Sequence, residues 1–386
     1  MSRRLDTETR TVRAALDSDT AHGAVVPPIH LSSTYSFAGF GERRQYDYSR
    51  SGNPTRDALA GALADLEGGA GAVVVGTGMA AVNLVSLLVK PGERIVVPQD
   101  CYGGSYRLFA ALQRTGRAQV DFIDTTDLVA LRMALSQPTR LLWLETPSNP
   151  LLRITDIEAA AALGHAAGAL VCADNTFLSP VWQNPLQLGC DVVIHSTTKY
   201  LNGHSDVVGG VAVARDRALH DELAWHANAF GLTGSAFDSF LTLRGLRTLH
   251  ARLRLHETNA RVIAEALQGH PAVAAVHWPG LASHPGHALA ARQQRGFGAM
   301  LSFELAGGEP QVRAFLDGLE CFSLAESLGG VESLVAHPAT MTHAAMDEAA
   351  RARAGIGASL LRLSVGIESP DDLLADLVSG LARALR

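Results

Sequence analysis

Ala72-Val73-Val74-Val75-Gly76-Thr77-Gly78-Met79-Ala80-Ala81 runs from a short apolar strand through a glycine turn into a helix. The strand does not alternate apolar with polar residues, so both of its faces are buried, as in a parallel sheet. The helix, residues 79–89, is apolar and stops near Pro91-Gly92. Residues 94–97 form the next strand, and short apolar runs recur at 141–144, 169–173 and 192–194. Helical stretches such as 157–167 separate some of them. Buried strands alternating with helices predict an α/β fold with a mostly parallel, doubly wound sheet.

Outward from this core the texture changes. Residues 57–66 predict a helix closed by Gly68-Gly69. Before it the chain reads as irregular, and Pro27-Pro28 exclude helix there. Such an arm has no core of its own and must lie on something else, such as another subunit. From Arg254 onward, long helical pieces and amphipathic strands such as residues 299–305 predict a smaller C-terminal α/β domain. The expected division is an arm at 1–56, a larger domain at 57–253 and a C-terminal domain at 254–386. A chain of 386 residues exceeds what one core usually holds, which agrees with this division.

A net charge of −6 without a Lys/Arg run argues against nucleic acid or an anionic membrane as partner. No window approaches a membrane span, and residues 1–10 lack the apolar stretch of a secretory leader. A cytoplasmic setting is expected. The four cysteines, Cys101, Cys172, Cys190 and Cys321, form no C-x-x-C pair; Cys172 and Cys190 read as small core residues. The histidines, among them His284, His287, His337 and His343, fall in no H-E-x-x-H pattern, so no metal is expected.

The glycine turn at 76–78 opens a helix, and helix N-termini bind phosphate. Alone it fits a dinucleotide fingerprint, with Asp100 where a ribose-binding acid would stand, a single phosphate such as that of pyridoxal phosphate (PLP), or a plain tight turn. The lysines narrow this choice. Lys90 and Lys199 are the only two in the chain. Lysine, unlike arginine, forms a Schiff base once its pKa is lowered. Lys90 ends a helix, a position that favours a cation. Lys199 follows an apolar strand in His195-Ser196-Thr197-Thr198-Lys199, with two hydroxyls suited to phosphate beside it. Asp174 ends the run Leu170-Val171-Cys172-Ala173; it either pairs with a pyridine nitrogen in the crevice or caps the following turn. Tyr102, before Gly103-Gly104, is either a ring that stacks on a cofactor or an ordinary turn residue. Arg362, in an apolar strand, and Glu326, beside Gly329-Gly330, are isolated charges suited to a substrate or to salt bridges.

In chain order, Tyr48-Ser49-Arg50-Ser51-Gly52-Asn53-Pro54, Thr77-Gly78-Met79, Tyr102-Gly103-Gly104, Asp174-Asn175-Thr176, Ser196-Thr197-Thr198-Lys199-Tyr200 and Arg362 resemble the Cys/Met-metabolism PLP enzymes. The detail at 27–35, 47–50 and 196–203 is most similar to the bacterial cystathionine γ-synthase branch. His226 departs from it, standing where a second Trp is expected after Trp225.

The resemblance implies a PLP-dependent, aspartate-aminotransferase-like fold (fold type I) in a homotetramer of two tight dimers. It implies that Tyr48 and Arg50 reach the partner's cofactor phosphate, which Gly78, Met79, Ser196 and Thr198 hold from within. Tyr102 would stack on the ring and serve as a base, Asp174 would pair with the ring nitrogen, and Lys199 would carry the Schiff base and move the Cα proton. Arg362, with Asn149 and Ser327, would take the substrate α-carboxylate; Asp47, Glu326 and Arg107 would contact its distal part. The implied reaction is a γ-replacement in methionine biosynthesis. It makes L-cystathionine from L-cysteine and O-succinyl- or O-acetyl-L-homoserine, releasing succinate or acetate. Cystathionine γ-lyase and O-acylhomoserine sulfhydrylase activities are the alternatives.

Overall fold

Asn53 and Gly68 bracket the first long helix of the computed structural model, which describes residues 5–344 and 346–385. The Asn53 carboxamide oxygen accepts from the N–H groups of Thr55 and Arg56, Pro54 takes the first helical position, and Gly68 closes the helix at φ 79°. The helix therefore spans Pro54–Glu67 and starts nearly a turn before residue 57. The cap and the proline set its start; the apolar periodicity begins later. Asn53 is only 1% exposed and donates through Nδ2 to the His30 carbonyl at 2.8 Å, tying the arm to the helix.

Seven strands build the larger sheet: β1 (Gly71–Val75), β2 (Arg94–Pro98), β3 (Gln119–Ile123), β4 (Leu141–Glu145), β5 (Leu170–Asp174), β6 (Val192–Ser196) and β7 (Gly210–Ala214). Their order is β1-β7-β6-β5-β4-β2-β3. From β3 through β6 every neighbouring pair is parallel, as expected. β7 is antiparallel to both β6 and β1. No helix lies between β6 and β7, and a parallel return needs a long crossover, so the chain comes back antiparallel.

Both faces of this sheet are buried. Leu142, Leu144, Val171, Ala173 and Val193 enter one apolar cluster, and Leu141, Trp143, Cys172, Val192 and Ile194 enter the other. That double burial is why the strands read as unbroken apolar runs. Cys172 and Cys190 are core residues, fully buried and unpaired.

The smaller sheet contains β8 (Val273–His277), β9 (Met300–Leu305), β10 (Ser323–Leu324), β11 (Leu334–Ala336) and β12 (Leu360–Ser364), in the order β10-β11-β12-β9-β8. β9 was expected to be amphipathic, yet it is buried along nearly its whole length. Leu301 and Phe303 enter the larger apolar cluster, while Ser302 turns to the first sheet's loops and donates to the Pro150 carbonyl at 2.7 Å. That cluster is continuous with the core of the first sheet, through Leu253, Ala260, Ile263 and Leu267 of the Leu249–Leu267 helix. We propose to keep the three-part division, with this helix straddling residues 253 and 254 and shared by both larger parts.

The arm is mostly irregular but contains one short helix, Thr7–Val12, which the polar sequence did not announce. The arm's first residues, 1–4, lie outside the described residues. Among the described residues no helix is long and apolar enough to cross a membrane.

Asn53→Ala removes the cap and leaves the His30 carbonyl without its donor, an expected loss of roughly 2–3 kcal/mol. Urea unfolding measures the loss, and limited proteolysis within residues 13–50 is expected to speed up. An unchanged midpoint with unchanged cleavage would refute this view of the arm's attachment.

Candidate active site

The sheet order reverses between β2 and β4, because β3 lies on one side of β2 and all later strands lie on the other. A crevice forms at the carboxyl ends of parallel strands at such a point. A cavity of about 400 Å³ lies there. It brings together Gly78, Met79, Tyr102, Arg107, Asn149, Asp174, Ser196, Thr198, Lys199, Glu326, Ser327 and Arg362. Each of these is a residue expected from the sequence.

One end of the cavity suits an anion. The Gly78–Ser86 helix begins here, and the Thr77 hydroxyl caps it by accepting from the Ala80 N–H at 2.8 Å. The N–H groups of Gly78 and Met79 remain for a ligand. A Cβ on Gly78 would come within 2.7 Å of the Ser196 Cβ, so a side chain there would fill the cradle. The hydroxyls of Ser196 and Thr198 complete the donor set, the latter oriented by the Gly209 N–H at 3.0 Å.

The middle suits a flat ring. Tyr102 ends the turn before the Gly103–Arg114 helix and is 41% exposed. A Cβ on Gly104 would meet the Tyr102 ring at 2.5 Å and the Met79 sulfur at 2.7 Å, so glycine lets these two side chains lie close. Burial pushes the Tyr102 phenol up, against the pull of Arg107. Asp174 ends β5 and accepts from the Thr176 N–H at 3.0 Å. Burial raises its pKa, and the Thr176 hydroxyl and N–H oppose that rise.

The far wall holds two cations. Lys199 Nζ donates to the Ser327 hydroxyl at 2.7 Å. Burial, reinforced by the Arg362 charge, brings the Lys199 ammonium down to about 8. Arg362 is 3% exposed, and burial brings its pKa down to about 10. Its Nη1 donates to Asn149 Oδ1 at 3.0 Å and its Nη2 to the Ser327 carbonyl at 2.9 Å, both neutral oxygens. Its Nε has no partner. A buried guanidinium lacking a carboxylate is a ready site for one. Ser327 takes a left-handed φ of 90°, rare for a side-chain-bearing residue, and this places both its hydroxyl and its carbonyl on the cations.

Three expected site residues stand elsewhere in the chain's own fold. Arg50 Nη1 donates to the carbonyl and Oδ1 of Asn228, both at 2.8 Å. Asp47 pairs with Arg43 and accepts from the Ser51 hydroxyl at 2.8 Å. Tyr48 is half exposed, on an arm that also exposes Leu31, Phe37 and Phe40. None of the three lines the cavity.

Two contributors escaped the sequence reading. Glu145 ends β4 opposite Asp174 and accepts from the Tyr102 N–H at 2.8 Å. The signal that singled out Asp174, a carboxylate closing an apolar strand, was present at Glu145 as well. His343, noted only as outside a metal motif, holds the Asn149 carbonyl through Nε2 at 3.0 Å. No local pattern marks that contact. Among the described residues no group of three or more His, Cys, Asp or Glu could hold a metal ion.

Comparisons with known proteins identify the family. Residues 8–382 match the Cys/Met metabolism PLP-dependent enzyme family. The chain is 58% identical to cystathionine gamma-synthase of Escherichia coli over 97% of its own length and 98% of that protein's. It is 45% identical to cystathionine gamma-lyase of Dictyostelium discoideum, with 97% of each chain covered. A crystal structure of cystathionine gamma synthase from Xanthomonas oryzae pv. oryzae, in complex with aminoacrylate and cysteine, superposes with a TM-score of 0.98 at 63% identity and 99% coverage of both chains. This chain belongs to the Cys/Met metabolism PLP-dependent enzyme family and has its fold type I architecture.

Proposed function

We propose that this PLP-dependent enzyme joins L-cysteine to O-succinyl- or O-acetyl-L-homoserine by γ-replacement, making L-cystathionine. The observation that carries an amino-acid substrate is Arg362, a buried guanidinium with a free Nε beside the Lys199 amine. Support for the synthase reaction comes from relatives: identity is 58% to a cystathionine gamma-synthase and 45% to a cystathionine gamma-lyase. The γ-lyase is the second reading, because that relative too is covered along nearly its whole length.

Bound PLP supplies an electron sink for the charge left at the substrate Cα when its proton departs. The chain's residues do the rest. The N–H groups of Gly78 and Met79 and the hydroxyls of Ser196 and Thr198 hold the phosphate. Asp174 pairs with the ring nitrogen and keeps it cationic, and Tyr102 covers the ring. Lys199 is the attachment point and, once free, takes the proton from Cα at Nζ. Arg362 and Asn149 hold the α-carboxylate, and Ser327 orients both cations. Glu326 and Arg107, with Asp47 from a neighbouring subunit, contact the distal part of the substrate. Tyr48 and Arg50 reach the phosphate of that neighbouring subunit, in an assembly we propose to be a homotetramer of two tight dimers in the cytoplasm.

Attachment at Lys199 needs the neutral amine. With the ammonium at about 8, the rate at which cofactor-free protein takes up PLP is expected to rise with pH and level off above that value. Below it the neutral fraction falls about tenfold per pH unit. Reduction with borohydride followed by peptide mass analysis is expected to mark Lys199; a mark on Lys90 would overturn the assignment.

Arg50→Ala and Lys199→Ala proteins are each expected to be nearly inactive. Co-refolded, they are expected to regain activity through hybrid dimers with one intact site of two. No recovery in confirmed hybrids would exclude a site built across subunits.

The reaction itself is tested by product assays with succinyl- and acetyl-homoserine, with and without cysteine. Asp47→Ala or Glu326→Ala is expected to cost roughly 1.5–3 kcal/mol, about one to two decades of rate, in cysteine-dependent replacement. Cysteine-independent elimination is expected to fall less. Wild-type protein that cleaves cystathionine faster than it makes it, at matched saturation, would transfer the assignment to the γ-lyase.

A further inference from the structure

Glu145 and Asp174 close neighbouring parallel strands in register, so their carboxyl groups leave the same face of the sheet side by side. Both line the cavity, and Glu145 is only 6% exposed. Three elements surround Glu145. The turn after β2 presents the Tyr102 N–H, 2.8 Å from Oε2, together with the Tyr102 phenol and the Cys101 thiol. The loop after β4 presents the Asn149 N–H. β5 presents Asp174, and Asp100 stands nearby, accepting from the Ser148 hydroxyl at 2.7 Å. None of the principal influences on Glu145 is a cation.

Two buried carboxyl groups this close cannot both ionise without a cation between them. The donors decide which keeps the charge. Asp174 receives the Thr176 N–H and hydroxyl and is the one to face the cofactor's ring nitrogen. Glu145 receives the Tyr102 N–H and faces that of Asn149, and a neutral carbonyl oxygen accepts such a donor equally well. Burial, followed by the charge of Asp174, holds the Glu145 carboxyl well above the usual range.

We propose that Glu145 is a positioning residue that works as the uncharged acid. Its oxygen fixes the turn that carries Tyr102 and the loop that carries Asn149. Its proton leaves Asp174 as the only negative charge of the pair. One buried acid thereby positions the ring-covering residue and the partner of Arg362, and leaves the carboxylate for the ring nitrogen charged. The inference rests on the PLP reading of the cavity.

The test compares holoenzymes and their retitration with PLP after resolution. Glu145→Gln supplies the same acceptor with no charge, so its PLP dissociation constant is expected to stay within about threefold of the parent's. Glu145→Ala loses the acceptor, and Glu145→Asp withdraws it; each is expected to weaken PLP binding at least tenfold. Infrared difference spectra of parent minus Glu145→Gln holoenzyme are expected to contain the C=O band of a protonated carboxylic acid, shifting in D2O. Rescue by an isosteric neutral amide and loss of that band are signatures that mere space-filling would not give. Absence of the band overturns the proposal. So does a Glu145→Gln protein that fails to fold or binds PLP as weakly as Glu145→Ala. Parent protein that takes up no PLP at all would instead sink the cofactor reading of the cavity.

Discussion

A buried guanidinium without a carboxylate of its own is the constraint around which this molecule is arranged. Arg362 sits on β12 of the smaller sheet, yet its partners come from two other places: Asn149 after β4 and Ser327 between β10 and β11. Taking an unpaired cation out of water costs several kcal/mol, which only a well-packed surround can sustain. The continuous apolar core joining the two sheets supplies that surround. It also joins the larger and smaller parts through the Leu249–Leu267 helix. A hinge between them would pull Arg362 away from Asn149 and expose it to water.

The same cation sets the chemistry of its neighbour. Lys199 and Arg362 share Ser327, the lysine through the hydroxyl and the arginine through the carbonyl. Their mutual repulsion, added to burial, brings the lysine amine into the range where it reacts near neutral pH. An incoming α-carboxylate would neutralise Arg362 and weaken that repulsion. The left-handed backbone of Ser327 is the local strain that this arrangement carries.

Opposite the cations stand the carboxyl ends of β4 and β5. Behind them, on the other face of the sheet, Glu67 accepts from His195 at 2.6 Å, Asn175 at 3.0 Å and Asn184 at 3.2 Å. This buried polar knot anchors the residues that flank Asp174 and Ser196 in the chain. The cavity therefore has an ordered layer beneath it, which is what holds reacting groups to a fixed geometry.

Local sequence determined a good deal. The apolar runs at 72–75, 141–144 and 192–194 announced a sheet buried on both faces, because a residue's exposure on either face of a strand is written into its polarity. The strand–glycine–helix turn singled out Gly78, and the contrast between lysine and arginine singled out Lys199; both line the cavity. Asn53 and Pro54 carried the start of their helix in plain view, although apolar periodicity alone placed it too late. Tertiary structure decided what depends on distance in space rather than along the chain. The reversed direction of β7 followed from a connection without a helix. Glu145 became part of the site because β4 and β5 pair in that one register. Arg362 met Asn149 across 213 residues of chain, and His343 met Asn149 across 194. A single side chain's identity fixes what it can do; only packing fixes which other groups it does it with, because burial and neighbouring charge set both its protonation and its reach.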